Sequence, residues 1–196
     1  KGDSEAAIDS YKKALKIKPD YAKAYSNMGI ALKDRGDSEA AIESYKQALK
    51  IKPDFAAAYI NMGIALNDKG DSEAAIESYK EALKIKPDHA DAYLNMGNAL
   101  KNKGDLDAAL KNHEQALKIQ PDFPEAHRSM GSAFYSGGNL SGSLEAYKRA
   151  LKIEPNNAEI WNDLQFPLQA MKLQIPDVGK LLSTLNLQAD SKRCQI

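Results

Sequence analysis

Residues 22–55 read AKAYSNMGIALKDRGDSEAAIESYKQALKIKPDF, and residues 56–89 read AAAYINMGIALNDKGDSEAAIESYKEALKIKPDH. The two stretches agree at 28 of 34 positions. The same beat runs outward from them. Pro19, Pro53, Pro87, Pro121 and Pro155 stand 34 residues apart, as do Gly29, Gly63, Gly97 and Gly131, and Gly36, Gly70, Gly104 and Gly138. A fixed period in this range specifies a stack of repeated supersecondary units.

Each unit reads as two helices. In Ala56–Lys69 the residues Tyr59, Met62, Gly63 and Leu66 form an i, i+3, i+4, i+7 stripe. Gly70 stops this helix, and Asp71 is placed to cap the next. The second helix, Ser72–Lys86, opens with Glu73 and Glu77 and closes with Lys80, Lys84 and Lys86, an order that suits the helix macrodipole. Pro87 then ends it. Neither helix can bury its apolar stripe alone, so neighbouring units must stack. Small residues such as Gly29 and Ala41 let backbones approach, while Tyr25 and Tyr45 fill the space around them.

These residues are those of the tetratricopeptide repeat (TPR) family, which the sequence closely resembles. The signature positions hold Tyr25, Met28, Gly29, Leu32, Ala41, Tyr45, Ala48 and Pro53, and then Tyr59, Met62, Gly63, Leu66, Ala75, Tyr79, Ala82 and Pro87. The third set is Tyr93, Met96, Gly97, Leu100, Ala109, Ala116 and Pro121, with His113 where an aromatic is usual. The fourth is Met130, Gly131, Phe134, Tyr147, Ala150 and Pro155, with His127 and Ser143 departing from the pattern. The resemblance implies an all-α TPR solenoid, a right-handed superhelix of antiparallel helix pairs with a divergent helical C-terminal cap.

Expected units are 22–55, 56–89, 90–123 and 124–157. Residues 1–21 form a partial repeat with a second helix only (Ala7, Tyr11, Ala14, Pro19), and 158–196 a degenerate fifth repeat with a cap and tail. There Trp161 and Leu164 begin a unit, but Gln165 replaces the small residue and Pro167 interrupts the helix. The spacing predicts a short helix near Ala158–Gln165, a break, an amphipathic helix after Asp177 (Val178, Leu181, Leu182, Leu185) and a frayed Asp190–Ile196. Ser136–Ser143 is the expected soft point, because Gly142 stands inside a second helix at a cost of about 1 kcal/mol relative to alanine.

Composition narrows the function. The chain has 196 residues, with 27 basic and 27 acidic side chains and 43% hydrophobic residues. Zero net charge removes the sequence-independent attraction that nucleic-acid binders rely on. A mean hydropathy of −0.54, with no apolar run near 18 residues, predicts no transmembrane span and no membrane partner. The lone Cys194 excludes an internal disulfide and leans toward a reducing cytoplasm. The chain opens at Lys1 rather than methionine and reads as a piece of something longer. No phosphate loop, GxGxxG, HExxH or GxSxG is present. His113 and His127 replace packing aromatics, and His89 sits in a turn. The expectation is therefore no enzyme, no catalytic residue, no metal and no cofactor.

The repeats differ on one face. The first helices of the second and third units, Ala56–Lys69 and Ala90–Lys103, diverge at residues 57/91, 60/94, 64/98, 67/101 and 68/102, which fall within about 100° of arc. The stripe carrying Tyr59, Met62, Gly63 and Leu66 lies on the other side. Aliphatic residues (Ile30, Ile60, Ile64, Leu94) occur on the variable face, and asparagine persists at its edge as Asn27, Asn61 and Asn95. In the family this face lines a concave groove that accommodates peptides. The row resembles the asparagine ladder in the repeats of O-linked N-acetylglucosamine transferase, where asparagines hold a peptide backbone. An amide suits that task because it offers both donor and acceptor.

Lys23, Lys33, Lys101 and Arg128, with Asp34 and Asp68, would then set preference, and Asn67 and Asn98 are further expected groove residues. The row fails at Ser129 and Asp163. Lys23, Asn27, Lys33 and Arg128 are too dispersed for the carboxylate clamp of chaperone-binding members.

The reading that follows is a protein-interaction scaffold binding an extended peptide or partner segment. Two alternatives stand beside it. One is the substrate-recruiting array of a larger glycosyltransferase- or sulfotransferase-type enzyme, suggested by residues 166–172 (FPLQAMK). The other is self-assembly into a homo-oligomer through the apolar face of the unpaired N-terminal helix.

Overall fold

The computed structural model describes residues 2–171. They form ten helices, and the chain divides into two compact units, residues 1–104 and 105–196. In the first unit α1 (Gly2–Ile17) is followed by α2 (Ala22–Arg35), α3 (Ser38–Ile51), α4 (Ala56–Asp68), α5 (Ser72–Ile85) and α6 (Ala90–Lys103). The second unit contains α7 (Leu106–Ile119), α8 (Pro124–Ser136), α9 (Leu140–Ile153) and α10 (Ala158–Ala170). No helix among the described residues is long and apolar enough to cross a membrane. The predicted helix after Asp177, Cys194 and the frayed end lie outside the described residues.

The turns inside each pair are built alike. Gly36, Gly70, Gly104 and Gly138 have φ of +94°, +84°, +89° and +76°, the left-handed region where a side chain is strained. The next residue caps the following helix. Asp37, Asp71 and Asp105 accept from the N–H groups of Ala40, Ala74 and Ala108 at 3.2, 3.1 and 3.1 Å, and Asn139 accepts from Gly142 at 2.9 Å. Gly142 thus stands in the first turn of an intact α9, where it donates to the cap.

Packing in the first unit rests on small residues set against tyrosines. Ala41, Tyr45, Ala48, Ala75, Tyr79 and Ala82 are all buried. A methyl group on Gly29 would lie 2.5 Å from the Tyr45 ring, and one on Gly63 would lie 2.6 Å from that of Tyr79. Ile8 of α1 shares a core with Leu32, Ile42 and Tyr45. Three ion pairs repeat at the period: Arg35–Glu5 (3.3 Å), Lys69–Glu39 (2.8 Å) and Lys103–Glu73 (2.8 Å). Each joins the end of a first helix to the start of the second helix before it.

The second unit corrects one expectation. Instead of stopping near Gln165, α10 runs on to Ala170 with Pro167 inside it. A mid-helix proline costs about 3 kcal/mol or more, through the lost N–H bond and the clash with the carbonyl four residues back. Here Pro167 is fully buried, and Leu168 joins Ile160, Leu164, Leu144 and Leu151 in one core. Burial of such side chains contributes about 1.5–3 kcal/mol each, enough to offset the break. Met171 N–H then donates to the Pro167 carbonyl at 3.0 Å.

Candidate functional site

The asparagine row lies wholly in the first unit. Asn27, Asn61 and Asn95 are the sixth residues of α2, α4 and α6, each half-buried. None of the three amides is hydrogen-bonded to another described residue. The helices α2 and α4 are pinned from behind, where Gly29 and Gly63 lie against the rings of Tyr45 and Tyr79. Asn27 and Asn61 are therefore positioned by a packed scaffold, and all three half-buried amides keep two donors and one acceptor oxygen unengaged among the described residues.

Around the row the predicted residues divide. Lys23 and Ile30 are exposed, and Ile64 is half-buried. Lys33 is half-buried with its ammonium 3.7 Å from Asp34. Asn98 and Lys101 are half-buried on α6, and each already has an interaction of its own.

Four predicted residues have other work. Ile60 and Leu94 are only 7% and 8% exposed. Ile60 belongs to a core with Ala92 and Met96 of α6, so its position is a seam between consecutive first helices and offers a ligand little surface. The aliphatic signal at that position comes from packing. Asn67 is occupied as well: its Oδ1 accepts from Ser72 Oγ at 3.2 Å and from Asn102 Nδ2 at 3.3 Å, tying α4 to α5 and α6.

Arg128 stands apart from the row, in the second unit. Its Nε donates to Asp163 Oδ2 at 2.7 Å, and its Nη1 pairs with Glu159, so the guanidinium clamps α8 to α10. Asp163 falls at the position that holds asparagine in the first unit. Burial, with the Asp163 charge, pushes the nearby Tyr147 phenol up to about 12.

Two of the three histidines are buried. His113 is fully buried, and His127 is buried with Nε2 3.2 Å from the Pro121 carbonyl. His89 lies beside Asp91, Nδ1 to Oδ2 at 3.5 Å. Among the described residues no three His, Cys, Asp or Glu side chains gather as a metal site.

Two exposed aromatics escaped sequence reading. Tyr135 and Phe166 of the second unit are in contact, with ring centroids 6.1 Å apart. They occupy the positions of Lys33 and Ile30 in the first unit, so extending the 34-residue frame past residue 124 would have placed them on the variable face.

The TPR repeat model matches residues 1–34, 31–70, 63–104, 97–135 and 131–164. Among solved structures, MamA is 31% identical, with a TM-score of 0.72 covering 81% of this chain and 92% of that one. A thermophilic TPR protein of Thermus thermophilus, TTC0263, is 24% identical, with a TM-score of 0.71 covering 86% and 92%. YrrB, described as a TPR protein with an unusual peptide-binding site, is 20% identical, with a TM-score of 0.67 covering 93% and 94%. The last two likenesses speak to fold alone. No curated protein matches the sequence.

Proposed function

This chain belongs to the tetratricopeptide repeat family, an all-α solenoid fold typical of protein-interaction scaffolds, and we propose that it acts by holding an extended peptide segment along α2, α4 and α6. The observation that carries this reading is the row Asn27, Asn61 and Asn95: three amides at equivalent positions, half-buried, with no hydrogen bond inside the described fold. An amide so placed gains most from a partner that is both acceptor and donor, which describes a peptide main chain.

Gripping the backbone makes binding tolerant of side chains. Preference then falls to Lys23, Ile30, Lys33, Ile64, Asn98 and Lys101, within units taken as 22–55, 56–89 and 90–123. Panning a library of extended peptides against the whole chain, and in parallel against an Asn27→Ala, Asn61→Ala, Asn95→Ala variant, tests the reading. Binders lost in the variant at unchanged helical content support it, and identical binder sets refute it.

A second reading, self-assembly through α1, draws on Tyr11. It is half-buried, whereas Tyr45 and Tyr79 at the same repeat position are fully buried. Sedimentation over a concentration series separates the two, since a mass that stays at one chain rejects self-assembly.

A further inference from the structure

We propose that the face shared by α8 and α10 binds a second class of partner segment, in which a bulky apolar side chain stands about two extended residues, roughly 6 Å, from a lysine or arginine. The surface is bipartite. At one end Tyr135 and Phe166 remain 38% and 49% exposed although their rings touch. Rings that contact each other and still face water leave apolar area uncovered, and an apolar side chain laid across them removes it from solvent.

At the other end lie carboxylates. Asp163 is three residues before Phe166 and Glu159 seven before, so all three share one stripe of α10. On α8, Glu125 holds the position that Glu159 holds on α10. Among the described residues Asp163 and Glu159 share one guanidinium, that of Arg128, which bonds one oxygen of each. A carboxylate has about four lone-pair sites, so both can accept from an incoming cation as well. The surplus negative charge favours lysine or arginine on the partner and disfavours nucleic acid. One turn of helix separates Phe166 from Asp163, which sets the short distance between apolar anchor and cation. The proposal does not rest on the asparagine row, because every residue in it belongs to the second unit.

Fluorescence anisotropy with the whole chain tests it, using labelled octapeptide pools with a fixed central Lys-Ala-Phe, Glu-Ala-Phe or Lys-Ala-Ala. The Lys-Ala-Phe pool is expected to bind at least tenfold more tightly than the other two. Phe166→Ala should weaken it at least tenfold and Glu159→Gln severalfold, with circular dichroism unchanged because both side chains are largely exposed. The Asn27→Ala, Asn61→Ala, Asn95→Ala variant should retain this binding in full. Equal affinity for the three pools, no binding of Lys-Ala-Phe, indifference to Phe166→Ala, or loss in the asparagine variant would each overturn the proposal. Binding that emerges only after deletion of residues 172–196 would give the face to the chain's own end, and a dimer dispersed by Phe166→Ala would give it to a second copy. Either result also overturns it.

Discussion

Gly63 lies so close beneath Tyr79 that a methyl group added to it would stand 2.6 Å from the tyrosine Cε1 and 2.8 Å from Cζ. Tyr79 cannot move aside, because it is itself 1% exposed. The pair fixes how near α4 comes to α5, and so where Asn61 is held. Gly63→Ala should therefore destabilise by about 1–3 kcal/mol, the usual cost of overpacking a filled core. Chemical denaturation reads it. Combining Gly63→Ala with Tyr79→Leu should cost less than the two single changes summed, since they share one contact.

A glycine of the opposite kind is Gly142. The three atoms nearest a methyl group there all belong to the Asn139 side chain, with Nδ2 at 2.9 Å. Alanine occupies the same place at Ala40, Ala74 and Ala108, under aspartate caps that bond it at 3.1–3.2 Å. Gly142→Ala paired with Asn139→Asp should stabilise the protein by about 0.5–1 kcal/mol, the helical advantage of alanine over glycine. Thermal denaturation would show it as a raised midpoint.

His127 makes stability depend on pH. Burial lowers its pKa below the ordinary 6.5, helped by Arg149 and opposed by the bond to the Pro121 carbonyl and by Asp122. The folded chain thus prefers the neutral ring. Its contribution is complete above the unfolded value and is lost as pH falls through the folded one. His127→Tyr restores the residue found at Tyr25, Tyr59 and Tyr93. Between about pH 7.5 and pH 5 the parent should lose more stability than this variant, measured by denaturant midpoint at each pH.

The periodic ion pairs should be minor and salt-sensitive. Lys69 and Glu39 are 2.8 Å apart, but their side chains are 38% and 81% exposed. Lys69→Met should cost about 0.2–1 kcal/mol at low ionic strength. The cost should vanish near 1 M salt, where the screening length is about 3 Å. A loss that persists in high salt would mean that the lysine stem, rather than its charge, matters.

The fold was largely legible because its signals are local. A glycine that must adopt positive φ, an aspartate one residue later and a proline at the helix end recur often enough to place helix ends within a residue or two, as α4 and α5 illustrate. Pro167 misled because a helix-breaking penalty is local while the burial of Pro167 and Leu168 is not. The site was less legible. Angular position on a single helix separates the variable face from the scaffold face, but it does not say how far the neighbouring first helix leans over. That lean turns Ile60 into core and lets Arg128 reach α10, while Asn27, Asn61 and Asn95 stay half-exposed.

The central claim is that these three amides grip a peptide main chain. Isothermal titration of a panned peptide against the parent and the Asn27→Ala, Asn61→Ala, Asn95→Ala variant tests it most directly. Each hydrogen bond is worth about 0.5–1.5 kcal/mol, so at least a tenfold loss of affinity is expected in the variant, with helicity and thermal midpoint preserved. Equal affinity for both proteins would contradict it.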